Sequence, residues 1–358
     1  MSSRLKPEIK ELLFSGAAIP AHPLALNEDK SLDELSQRAL THYYIDAGVD
    51  GVAVGVHTTQ FEIRDPQFNL YEPVLRMAIE EINKRDLDRP FIKIAGISGP
   101  KEQAVAEAKL AASLGYDLGL LAMGGLQDLT EAEILDRTRA VAQEIPLFGF
   151  YLQPSAGGRI FSYDFWHEFM EIEGVCAVKT APFNRYQTLD VLRAIAHSSQ
   201  RDDIAVYTGN DDNIVADLLT TYEFEVDGEV YRKEIVGGLL GHWAAWTKSS
   251  VALFHRIKEA KKANKDYDKL LTEGVKVTDM NAAFFDVKNN FKGSIAGINE
   301  MLSRSGLLKG NTCLMDHECL SEGQLEELNR VEKEYKEYAD YDFIKENLES
   351  WRQIAAKK

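Results

Sequence analysis

Three features of the 358-residue sequence predict an α/β fold of the (β/α)8 TIM barrel class with a C-terminal helical extension. Short apolar runs alternate with longer amphipathic stretches from about residue 15 to about residue 260, the pattern of strand–helix units around a parallel sheet. The pattern repeats eight times, which fills roughly the 250 residues that such a barrel needs. Beyond Lys261 the chain turns rich in Glu and Lys and carries no strand-like run. An open doubly wound sheet is the competing architecture, but the first strand–helix turn lacks the G-x-G-x-x-G that such sheets use to hold a dinucleotide.

In chain order the apolar runs are Phe14–Ile19, Gly51–Val56, Phe91–Ile97, Leu118–Ala122, Pro146–Tyr151, Val175–Lys179, Ile204–Thr208 and Ile235–Gly238. The helix-like stretches that follow them are Leu32–Ala47, Leu70–Lys84, Lys101–Leu114, Thr130–Gln143, Tyr163–Met170, Tyr186–His197, Asp212–Leu219 and His242–Lys261. Between the seventh and eighth units, Glu223–Glu234 alternates apolar and charged residues on both sides of Asp227-Gly228, a hairpin signal with a type I′ turn. The expected organisation is therefore a barrel over residues 1–261, with the hairpin inserted near 223–234. Residues 262–358 form a helical extension packed on it.

Composition narrows the function classes. With 45% hydrophobic, 27% charged and 9% aromatic residues, the chain is neither disordered, nor collagen-like, nor a disulfide scaffold. Lys plus Arg is 41 against 57 Asp plus Glu, a formal charge of −16, which argues against phosphate-tracking surfaces and hence against nucleic acid or anionic membranes as partners. Cys176, Cys313 and Cys319 form no CxxC pair and no zinc spacing, so no metal is expected. The opening Met-Ser-Ser-Arg-Leu-Lys-Pro-Glu has no apolar core of a leader, and no window reaches the roughly 18 apolar residues of a membrane span. A reducing, cytoplasmic setting is the expectation.

In a parallel barrel the polar residues that end apolar runs point into a common mouth. The sixth run ends on Lys179. A strand-end lysine ordinarily escapes to solvent, but one held inside the mouth is partly desolvated, and its pKa falls toward the range in which an amine attacks a ketone. Tyr151 ends the fifth run, one strand away. His57-Thr58-Thr59-Gln60 follows the second and offers hydroxyls and backbone N–H groups to a carboxylate. Asp211-Asp212 reads as the start of the next helix, because carboxylates favour a helix N-terminus. His242 with Trp243 and Trp246 reads as aromatic packing, and Asp316-His317-Glu318 as a surface or interface loop.

On these residues the sequence resembles the class I, pyruvate-dependent aldolases of the dihydrodipicolinate synthase and N-acetylneuraminate lyase group. The likeness runs from Ile19 to about Arg330 through Pro20-Ala-His-Pro23, Leu32-Asp-Glu-Leu35, Ala47-Gly-Val-Asp-Gly51, Ala95-Gly96-Ile-Ser, Leu114-Gly-Tyr-Asp117, Tyr151-Leu-Gln-Pro154, Val178-Lys179 and Gly209-Asn-Asp-Asp212. The interval of 28 residues between Tyr151 and Lys179 also fits. The resemblance implies that Lys179 forms a Schiff base with a 2-oxo acid, that Tyr151 relays protons and that Thr58 orders the phenol. It further implies that Thr59 helps hold the substrate carboxylate, and His57 and Gly209 are the other candidates for substrate binding. It implies no cofactor, because the iminium is itself the electron sink, and a homo-oligomer, dimer or tetramer.

The departures are as informative. The family's G-T-T-G-E stands here as His57-Thr58-Thr59-Gln60-Phe61. The segment after the fourth run is Ala122-Met-Gly-Gly-Leu126, without the family's relay tyrosine. The arginine that clamps a second carboxylate falls on Ala156, with Arg159 three residues on. His57 is then either a new acid/base or a histidine that supports its loop. The expected activity is an aldolase-type lyase on a small pyruvate-like 2-oxo acid other than the dihydrodipicolinate reaction. A dehydratase on a 2-oxo sugar acid using the same lysine, and a non-catalytic 2-oxo acid binding barrel, remain as alternatives.

Overall fold

The computed structural model describes residues 5–357. They fall into two compact units, one of the N-terminal segment through Ala17 with Pro90–Leu239, the other of Ala18–Arg89 with Leu240 onward. Eight parallel strands with alternating helices make this an α/β fold of the (β/α)8 TIM barrel class, with additional helices at the C-terminal end.

The first unit holds six of those strands. They are β3 (Ile92–Ile97), β4 (Leu118–Leu121), β5 (Leu147–Leu152), β6 (Val175–Ala181), β7 (Ala205–Thr208) and β9 (Glu229–Leu240), each parallel to the next. β8 (Thr221–Val226) pairs antiparallel with the start of β9. Asp227 and Gly228 turn the chain there with φ of 54° and 83°, the two positive values a type I′ turn needs. The hairpin and the eighth barrel strand are thus one continuous strand, longer than the run Ile235–Gly238 that the apolar pattern marks. The reason is visible in the burial: the hairpin half of β9 is solvated and charged, and only its second half is apolar.

Helices Lys101–Leu114 and Tyr163–Met170 occupy the residues that periodicity predicts. Thr130 caps Glu131–Ala142 in a capping box with Glu133, and Asn184 caps Arg185–Ala196. Phe14 is not in the first strand. A helix over Pro7–Ser15 takes it, with Pro7 at the helix start, and buries Ile9 and Leu13.

The second unit contains β1 (Ala18–Pro20) and β2 (Gly51–Val54), joined by a parallel bridge at Ala21 and Ala53. Its helices include Glu34–Ala47, Tyr71–Lys84 and Thr247–Ala263, and beyond them Tyr267–Phe284, Ser294–Arg304, Gln324–Glu334 and Tyr341–Ala355. The C-terminal helix packs on helix Glu34–Ala47, where Trp351 Nε1 donates to Asp46 at 2.7 Å and the Trp351 ring meets Tyr43 edge-on. Asp340 accepts from Tyr43 Oη and from the backbone N–H of Lys248, so a buried carboxylate ties three segments of this unit together. Among the described residues no helix is long and apolar enough to cross a membrane.

Candidate active site

Strand alternation decides which residues of β5 and β6 can meet. Residues in register on parallel neighbours project to the same face, and successive residues to opposite faces. Phe150 is in register with Lys179, and Tyr151 with Thr180. Gly149, two residues from Tyr151 and hence on its face, marks that face: a Cβ there would meet the Phe169 ring of helix Tyr163–Met170 at 2.8 Å. Phe150 and Lys179 therefore share the inner face, and Tyr151 the helix-covered one.

Lys179 is only 8% exposed. Its Nζ lies 4.3 Å from the centroid of the Phe150 ring. Burial pushes the ammonium down from 10.5 to about 8, and the negative charge of Asp211 acts in the opposite sense. Space for the side chain comes from Gly209. A Cβ at that position would stand 2.2 Å from Lys179 Cε and 2.9 Å from its Cγ. Gly209 is thus a void that the lysine fills, and its backbone N–H is bound to the Thr180 carbonyl at 2.8 Å. In register with Lys179 on the other side, Tyr207 fills the core and donates from Oη to the Leu13 carbonyl.

The expectation that Tyr151 joins Lys179 is corrected by this geometry. The Tyr151 ring packs 4.9 Å from Trp166 and 6.2 Å from Phe161 and is 1% exposed. Burial pushes the phenol up to about 12, opposed by the Phe161 backbone and reinforced by Asp190 of helix Arg185–Ala196. The charge and the aromatics around it belong to the helix layer. Arg159, three residues beyond the missing clamp, donates from Nη1 to the carbonyls of Leu126 and Leu129.

Asp211-Asp212 does not cap the following helix. Helix Ile214–Leu219 begins after Asn213, with no side-chain cap. Asp212 lies 3.5 Å from Arg185, while Asp211 is 7% exposed and supplies the charge felt by Lys179. The loop between them and β7 is held by Asn210, which accepts from the Phe183 N–H at 3.0 Å and donates to Asp217 at 3.0 Å. The sequence carried signals for Gly209 and Asp211 in the Gly-Asn-Asp-Asp run. Phe150 carried none beyond its place in an apolar strand.

In the second unit, His57–Thr59 forms a single 3-10 turn after β2. Thr59 is fully buried, and its hydroxyl donates to the His22 carbonyl at 2.6 Å while accepting from the N–H groups of Gly55 and Val56. One proton and two lone pairs are all a hydroxyl has, so nothing of it is left for a substrate carboxylate. Its expected ligand role is corrected to a local staple. Thr58 is buried with Oγ1 near Gly241, and His57 is half-buried with its ring 6.0 Å from Phe61. Gln60 occupies a φ of 69°, a region that favours glycine, and its Oε1 accepts from the Leu314 N–H at 2.6 Å. His242 stacks on Phe284 and burial lowers its pKa to about 4, so it is a neutral packing residue at ordinary pH. In the loop read as surface, Asp316 pairs with Lys30, and burial together with Glu62 raises Glu318 to about 7.

A family model described as the dihydrodipicolinate synthetase family matches residues 15–222. Among solved structures, dihydrodipicolinate synthase from Oceanobacillus iheyensis is 17% identical with a TM-score of 0.72, over 92% of this chain and 98% of that one. N-acetylneuraminate lyase from Fusobacterium nucleatum complexed with pyruvate is 21% identical with a TM-score of 0.69, over 91% and 99%. Dihydrodipicolinate synthase from Acinetobacter baumannii complexed with pyruvate is 19% identical with a TM-score of 0.72, over 89% and 98%. At these identities the likeness establishes the fold. A comparison with curated proteins gives no match.

Proposed function

This chain belongs to the dihydrodipicolinate synthetase family, and from that premise we propose that it is a Schiff-base-forming lyase of the aldolase type acting on a pyruvate-like 2-oxo acid. Its membership, and the dihydrodipicolinate synthase and N-acetylneuraminate lyase folds it shares, support a class I aldolase-type lyase. The observation that carries the finer reading is Lys179. It is a buried amine on the inner face, given room by Gly209, covered by Phe150 and shifted by burial to about 8.

An amine so placed is neutral in an appreciable fraction near neutral pH and can attack a 2-oxo carbonyl. Loss of water leaves an iminium, which withdraws electrons from the adjacent carbon, so that a C–C bond beside it breaks or forms through an enamine. The departures at Gln60, Phe61, Ala122–Leu126 and Ala156 support a second reactant different from that of dihydrodipicolinate synthesis. Thr58 and His57 stay in this reading as candidate contacts of the 2-oxo acid. The reading further assigns the chemistry to residues 1–261, the helical extension to 262–358, and a homo-oligomeric assembly that sedimentation tests.

Reduction with borohydride in the presence of pyruvate, then of larger 2-oxo acids, is the test. The expected result is a covalent mass increase on the Lys179 peptide that Lys179→Ala abolishes. Absence of any adduct across the series overturns the proposal.

A further inference from the structure

The first unit leaves the Lys179 amine without the phenol that a strand-end tyrosine would supply, and places a carboxylate near it instead. We propose that Asp211 is the acid/base of the Lys179 imine chemistry, a role that rests on the lyase reading and assigns the proton transfers of that site to a carboxylate on the β7 loop.

Three observations carry it. First, Tyr151 is excluded by strand alternation: it lies on the face of Gly149, Val178 and Thr180, against Trp166, whereas Lys179 lies on the face of Phe150. Second, the loop bearing Asp211 abuts the lysine itself. Gly209 leaves no room for even a Cβ beside Lys179 Cε, and Asp211 follows two residues later, buried at 7% exposed. Third, that loop is fixed. Gly209 is bonded to Thr180, Asn210 to Phe183 and Asp217, and Asn213 to Asn210. A buried carboxylate on a fixed loop that abuts a buried amine is suited to repeated proton transfer. Among the described residues, Asp211 is the one whose charge acts on Lys179.

The steps balance with Asp211 alone. Its carboxylate takes a proton from the Lys179 ammonium, freeing the nitrogen lone pair. The amine attacks the 2-oxo carbon, and the C=O π pair moves to oxygen, which Asp211 protonates. Asp211 next removes a proton from nitrogen and returns it to the hydroxyl. The C–O bond then breaks, water leaves, and the nitrogen lone pair forms the iminium. Asp211 ends as the carboxylate it began as, and the ammonium and the 2-oxo acid have become an iminium and water.

The test is time-resolved borohydride quenching of the whole protein with pyruvate, read by intact mass. Asp211→Asn is expected to slow adduct formation by about 10²-fold or more while reaching the wild-type extent. Asp211→Glu is expected to recover part of the rate, and added acetate to accelerate Asp211→Ala at least about tenfold. Trapping of Asp211→Asn at the wild-type rate overturns the inference. A slow variant that neither Glu nor acetate improves also overturns it, because the loss is then one of position. Absence of an adduct in wild type with pyruvate and with every larger 2-oxo acid removes the lyase reading and this inference together. Wild-type trapping with an unimpaired Asp211→Asn removes only the inference.

Discussion

Lys179 at the end of β6 and Thr59 after β2 are both polar residues that follow apolar runs, and the structure uses them in opposite ways. Thr59 is hydrogen-bonded to saturation by three backbone groups, which fixes a turn and leaves no free valence. Around Lys179 the packing is apolar or small, with Phe150 over the nitrogen and Gly209 beside the chain, and the one charge that acts on it is that of Asp211. The difference teaches that a reactive group is recognised by what its environment withholds. Buried polar groups are normally satisfied, so a buried amine whose protonated form is disfavoured is the exception that points to chemistry.

The largest expected break of this contrast is Gly209→Ala. The new Cβ would overlap Lys179 Cε, Lys179 Cγ and Ala181 Cβ, so the amine must move. A shift of about 1 Å in a reacting group costs on the order of 10²-fold, and borohydride trapping with pyruvate should slow by that much. Unchanged trapping would mean that the lysine position is not set by this glycine. Next in size is the pH dependence. With the Lys179 ammonium lowered to about 8, the trapping rate should rise about tenfold per pH unit below that value and level off above it. The stability effect has a definite sign. An amine in the unfolded chain keeps its proton to about 10.5 and Lys179 only to about 8, so between these values the unfolded state binds more protons. Stability from this group therefore rises with pH across that window. A rate midpoint near 10.5 would contradict the desolvated environment.

Thr59→Val tests the other side. Valine keeps the shape but strands the N–H groups of Gly55 and Val56 and the carbonyl of His22, for an expected loss of about 2–3 kcal/mol in denaturant unfolding. Once folded, the variant should retain the trapping rate within a few-fold. A large loss of rate at unchanged stability would return Thr59 to ligand binding.

Much of the fold was legible because burial in a parallel sheet makes apolar runs, and surface helices make a 3.6-residue period. Both hold for β3 to β7 and for helices such as Lys101–Leu114. Phe14 was misassigned because an apolar residue at the end of an amphipathic helix looks like the start of a strand. At the site, Lys179 and Gly209 were legible from their place at strand ends. The face of Tyr151 was not, because a run of six buried residues over Leu147–Leu152 has no alternation to read. Asp211 was hidden by its neighbours. An acidic pair before a helix matches a cap so well that only the start of the helix after Asn213 shows where each carboxylate goes.

The smallest expected effect is the most discriminating. Tyr151 and Lys179 belong to adjacent strands, and only the one-residue offset between Phe150 and Tyr151 separates a pocket residue from a packing residue. Tyr151→Phe removes a buried hydroxyl that touches only the Phe161 backbone while leaving the ring contacts with Trp166 and Phe161. At most one weak hydrogen bond is lost, so stability should stay within about 1 kcal/mol of wild type. Trapping with pyruvate should stay within about threefold of wild type, since loss of a true acid/base costs 10²-fold or more. If Tyr151→Phe instead slows trapping by that larger factor, the phenol reaches the amine during the reaction. The alternation that separates the two faces would then have to give way at the end of β5.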